Sequence, residues 1–128
     1  MHAKGTFQIQ MTAEPPYSNE DGVSIGRAAF TKQFTGDLVA DSKVDMIGAR
    51  TPEPTSAGYV AIERIVGTLG GKRGSFVVQH TGVMNRGASS LKVTVVPDSG
   101  TAELAGLRGE MTIEIIEKVH HYTLTYDL

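Results

Sequence analysis

Gly67 to His80 reads GTLGGKRGSFVVQH, and Gly100 to Met111 echoes part of it as GTAELAGLRGEM. In both stretches a glycine-punctuated turn runs straight into a segment of strand character, so the glycines serve the corners of a β-sheet. A phosphate-binding loop does not fit. Its pattern needs Gly, four residues and then Gly-Lys-Ser/Thr, whereas Gly71-Lys72 is followed by Arg73 and the residue five before Gly71 is Val66. SFVVQH is also a poor helix start, which leaves no helix dipole to face a phosphate. Gly70, Gly71 and Gly74 are read as positions that need positive φ or a close approach between strands.

Outward from this block nearly every segment alternates polar and apolar with period two, and almost none has the i, i+3, i+4 spacing of an amphipathic helix. Strands are predicted at Lys4–Thr12, Ile25–Thr35, Leu38–Arg50, Gly58–Val66, Ser75–Met84, Ser90–Val96, Glu110–Lys118 and His121–Asp127. Only AELAGL has the makings of a helical turn. The chain is all-β, one domain spanning residues 1–128. Some eight strands with short connections favour a single closed antiparallel β-barrel, since closure removes the sheet edges; a two-sheet β-sandwich is the alternative. In a plain meander, Gly36, the LGGKRG turn and PDSGTAELAGLRG share one end. The proline-bearing loops AEPPYSNEDGVS and TPEPTSA share the other with NRGAS and the turn near His120, and that end is the expected ligand mouth.

Composition narrows the class. The 128 residues include no cysteine, which removes thiolate nucleophiles, thiolate metal sites and disulfides together. A net charge of -2 with scattered basic residues argues against nucleic acid or an anionic membrane as partner. The N-terminal MHAKGTFQIQ lacks an apolar signal core and no long apolar run follows, so the expected location is cytoplasmic.

FTGDL at Phe34–Leu38, ERIVGTLGGKRGSFVVQHTG at Glu63–Gly82, VPDSGTAELAGLRGE at Val96–Glu110 and the terminal YTLTYDL together resemble the bacterial domain-of-unknown-function family 3224. That family is similar in fold to allene oxide cyclase and the dirigent proteins, calycin-like closed barrels with a ligand cavity. The resemblance thus implies a barrel and a homo-oligomer. It brings neither substrate nor catalytic residues to this chain.

The most informative candidates lie in GYVAIERIV. One face of this strand holds Tyr59, Ala61, Glu63 and Ile65, the other Val60, Ile62, Arg64 and Val66. One charged residue must therefore point inward, where it has to be paired, hydrated or neutralised. Glu63 beside Tyr59 is slightly favoured, and Arg64 stays open as the alternative. His80 shares a face with Phe76 and Val78 near the mouth, and at most one of His120 and His121 joins it inside. No same-face His-x-His or helical His pair exists, so no metal site is expected. Phe30 and Phe34 are expected inside with Lys32, which would then need a partner such as Glu63. Tyr122 and Tyr126 offer apolar rings with hydroxyl tips that suit a ligand cavity.

Three functions follow. The first is a binding module for a small apolar or amphipathic molecule, contacted by Tyr59, Glu63 or Arg64, His80, Tyr122, Tyr126, Phe30 and Phe34. The second is a cyclase or isomerase that needs no cofactor, with Glu63, His80 and Tyr126 as proton-handling candidates. The third is a structural oligomer whose barrel is filled by side chains.

Overall fold

A computed structural model describes residues Met1–Leu128. Its strands are β1 (His2–Ala13), β2 (Ser18–Glu20), β3 (Val23–Gly36), β4 (Leu38–Arg50), β5 (Ala57–Leu69), β6 (Lys72–Asn85), β7 (Ala88–Val95), β8 (Arg108–Ile116) and β9 (Val119–Asp127). Consecutive strands pair antiparallel, and β1 joins both β9 and β3, which closes eight strands into a barrel with β2 as an extra edge on β3. The sequence expectation of a closed barrel holds, and the sandwich alternative falls. Three features differ from that expectation. The short strand β2 forms inside the AEPPYSNEDGVS loop, where three residues are too few for a periodic signal. Lys72, Arg73 and Gly74 already belong to β6, because the turn itself is only Gly70 and Gly71, at φ +55° and +83°. The last hairpin turns at Glu117 and Lys118, both at positive φ, so His120 lies within β9.

The barrel has two unlike ends. At one end the segment between β7 and β8 folds inward through a single 3-10 turn, Ala102–Leu104, and inserts Leu104 and Leu107 as a plug. Both leucines are buried and join a core that includes Leu38, Ile65, Leu69, Phe76, Val95 and Leu124. Gly74 makes the plug possible: a Cβ there would stand 2.2 Å from the Thr101 carbonyl oxygen. The Tyr122 hydroxyl tightens the same end. It accepts from the Leu38 N–H at 2.9 Å and donates to the Thr35 carbonyl at 2.9 Å, holding the β3–β4 turn. The other end, carrying the proline-rich loops, is open.

The wall is not uniform. Most neighbouring long strands pair over six to thirteen residues, whereas β7 and β8 share only Val93 opposite Met111 and Thr94 opposite Glu110. Towards the mouth the two strands part, leaving Leu91 and Ile115 exposed at the seam. No helix is long and apolar enough to cross a membrane.

Candidate functional site

Alternation along the ladders decides which side chains enter the barrel. In β3 these are Ala28, Phe30, Lys32 and Phe34; in β4 Leu38, Ala40, Ser42, Val44 and Met46; in β5 Tyr59, Ala61, Glu63, Ile65 and Leu69. Glu63 therefore points inward and is fully buried, while Arg64 stands exposed on the outer wall. Between the two sequence candidates the structure selects Glu63, and Arg64 leaves the set of interior contacts because its parity is the opposite one.

Three neighbours converge on the Glu63 carboxylate. Oε1 accepts from Lys32 Nζ at 3.1 Å and from His80 Nε2 at 2.7 Å, and Oε2 accepts from the Ser42 hydroxyl at 2.6 Å. Lys32, Ser42 and His80 are themselves buried. The lysine also lies over aromatic faces, its Nζ 4.5 Å from the Phe7 ring centroid and 5.9 Å from that of Phe34. Burial by itself would raise the Glu63 pKa, but the His80 hydrogen bond, the Lys32 charge and the Ser42 hydroxyl outweigh it and hold the carboxyl below its ordinary 4.5. Glu63 is thus a carboxylate kept ionised inside the protein. Of the three ways to keep an inward charge, pairing, hydration and neutralisation, the fold uses pairing, with partners drawn from three other strands, Lys32 of β3, Ser42 of β4 and His80 of β6.

An ionised carboxylate only accepts hydrogen bonds, so His80 Nε2 must carry the hydrogen that points at Glu63. The other ring nitrogen, Nδ1, has no hydrogen-bond partner within the chain, yet no sealed polar side-chain atom is left without one, so Nδ1 keeps contact with solvent. A carboxylate that fixes one imidazole nitrogen and frees the other orients the ring for proton transfer. No group of three or more His, Cys, Asp or Glu side chains gathers anywhere in the fold to hold a metal.

Above this cluster the mouth encloses a cavity of about 800 Å³. Tyr59, Ala28, Met11, Met46 and Met84 line it, Ser89 and Leu91 stand on the β7 side of the seam, and Arg50 and Glu14 border the rim. Tyr59 lies flat where Gly82 leaves room for it; a Cβ at Gly82 would come within 2.2 Å of its ring. Burial first, and then the nearby Glu63 charge, raise the Tyr59 hydroxyl above its ordinary pKa and keep it a hydrogen-bond donor.

The remaining candidates are dispersed. Phe34 is core, in edge contact with Tyr122 at 5.4 Å between ring centroids. Phe30 faces inward and is half-buried between the core and the mouth. Tyr122 is buried with its hydroxyl already engaged at the plugged end, and Tyr126 sits at that end beside Gly70, so neither reaches the mouth cavity. Alternation puts both rings on one face of β9 but carries no information about depth along the barrel axis. Of the paired histidines, His120 turns inward and packs on Phe7 at 5.0 Å between ring centroids. Ser42 and Arg50 escaped the sequence reading. Ser42 was detectable as the one polar residue in the inward series Leu38, Ala40, Ser42, Val44, Met46.

A closed β-barrel with one plugged end, an open mouth and a buried carboxylate–histidine–lysine cluster between them is the class of protein that fold and site define. The chain belongs to the DUF3224 family, described as proteins of unknown function, whose model matches residues 3–126. It is similar to a crystal structure from Shewanella oneidensis MR-1, a DUF3224 protein of unknown function solved at 1.84 Å, with 43% identity and a TM-score of 0.96. That likeness covers 100% of this chain and 96% of the other. No curated protein matches the chain.

Proposed function

We propose that the protein binds a small, mostly apolar molecule carrying one hydrogen-bonding group, held in the mouth cavity with that group towards Tyr59 and His80. The observation that carries this reading is an open cavity of about 800 Å³ at the mouth, with a buried charge cluster on Glu63 deeper in the barrel. A volume of this size suits a small ligand. The lining of methionines, alanines and Tyr59 supplies apolar contact, and methionine adapts its shape to the occupant. Under this reading Glu63 is a positioning residue that orients His80. The open space at the mouth supports a ligand-holding barrel over one filled throughout.

Native mass spectrometry of the purified protein tests the proposal. The expected result is a retained organic molecule that is displaced when Met46→Trp fills the cavity; an empty wild-type protein that takes up no apolar fluorophore would overturn it. One observation favours a second reading, a cyclase or isomerase: the Glu63–His80 pair leaves Nδ1 free to take or give a proton. If a ligand found by mass spectrometry is converted, His80→Gln should abolish turnover while retaining binding. Assembly into a homo-oligomer through the exposed outer residues Ile47, Val60 and Ile62 completes the reading, and sedimentation of Ile62→Lys checks it.

A further inference from the structure

The outer wall carries a feature the mouth cavity does not account for. A groove of about 490 Å³ crosses β1, β3, β4 and β5 on the outside of the barrel. The ladder registers lay out its walls as two rows. In one, Gln8 stands opposite Gln33 and Gln33 opposite Asp41; in the other, Gln10 stands opposite Thr31, Thr31 opposite Lys43 and Lys43 opposite Arg64. Lys32 and Ser42 border it through their backbone, since their side chains turn inward to Glu63.

Lys43 and Arg64 are like charges placed directly across a strand pair, an arrangement that destabilises a sheet unless something lies between or over them. Neither has a carboxylate within salt-bridge distance, because both ion pairs of the fold belong to Glu63. The amides of Gln8, Gln10 and Gln33 are equally free, as the side-chain hydrogen bonds of the fold are made by other residues. From these observations we infer a second binding site, separate from the mouth, for a sugar acid: a hydroxylated ring bearing a single carboxylate.

Charge sets the first half of that assignment. Two cations and Asp41 leave a surplus of one positive charge, which matches a monoanion, and Asp41 in the same groove repels a ligand dense in phosphates. The polar lining sets the second half. Amides donate and accept at once, as hydroxyl groups do, and Asp41 accepts further hydrogen bonds. Val66 is the sole apolar residue of the lining and no aromatic ring is present, so neither an apolar ligand nor a stacked nucleobase is served.

Titration of ¹⁵N-labelled protein with galacturonate, with galactose and sodium sulfate as comparators, tests the site. Galacturonate is expected to shift the side-chain amide signals of Gln8, Gln10 and Gln33, and both comparators to bind more weakly. The double variant K43E/R64E should lose affinity about tenfold or more through the lost charge-assisted hydrogen bonds. The neutral K43Q/R64Q, which carries no new charge to disturb the fold, should weaken binding in the same direction. Met46→Trp, which fills the mouth, should leave this binding unchanged. Absence of shifts in the three glutamines, equal shifts with sulfate, or an affinity indifferent to both double variants would each overturn the assignment. So would dissociation of an oligomer by K43E/R64E, which would make the groove a contact between copies.

Discussion

The two ends of the barrel are built from the same strands and behave as different materials. At the plugged end, inward positions hold Leu38, Leu69, Phe76, Leu124 and Tyr122, and Leu104 and Leu107 close what is left. At the mouth the same strands present Gly26, Gly48, Gly82, Ala28 and Ala57, and the space stays open. A barrel of this strand number is just wide enough to be filled by large side chains, so small residues at one end are enough to make a cavity there. Between the two regions lies the buried Glu63 cluster, whose four side chains stand below the residues that line the cavity. Dense packing lies below it and open space above it.

Substitutions can break that contrast, beginning with the floor. Glu63→Gln should cost about 3–5 kcal/mol in chemical denaturation, because Lys32 is left buried without its counter-charge. The same pair sets an acid limit. Glu63 has a folded pKa below its unfolded value, so its contribution is complete above about 4.5 and is lost as pH falls through the folded pKa. A melting temperature that falls with acid below pH 4.5 in the wild type, with a shallower fall in Glu63→Gln, is the expected signature.

Next in size, Leu107→Ala removes the plug and should cost about 2–5 kcal/mol. Tyr122→Phe leaves the buried Leu38 N–H without its partner and should cost about 1–3 kcal/mol. At the mouth, Ser89→Ala should change stability by no more than about 0.5 kcal/mol. A mouth substitution as costly as Leu107→Ala would show that the cavity is packed in solution and would erase the contrast.

Much of this division was legible in the sequence. Period-two alternation placed eight strands, connection parity assigned the glycine turns and the proline-rich loops to opposite ends, and GYVAIERIV required a buried charge. The missing parts are non-local or lack a residue-type signal. Glu117-Lys118 forms a tight turn without the Asn-Gly or Asp-Gly that usually marks one, which shifted the start of β9. The pairing of Glu63 with Lys32, conditional in the sequence, depends on the stagger of β3 across β4 to β5, and its bond to Ser42 on the same stagger. The engagement of Tyr122 with Leu38, 84 residues away, has no local signature at all.

The two-rung seam between β7 and β8 gives the cylinder a hinge line. A hoop of hydrogen-bonded strands resists widening everywhere its ladder is continuous, so the bore can dilate only where the ladder stops. Leu91 of β7 and Ile115 of β8 stand on either side of that line, where no ladder bond ties the two strands, while the plugged end lies on the paired side of it. The protein is in this sense a split collar, laced at its base and unlaced at its lip.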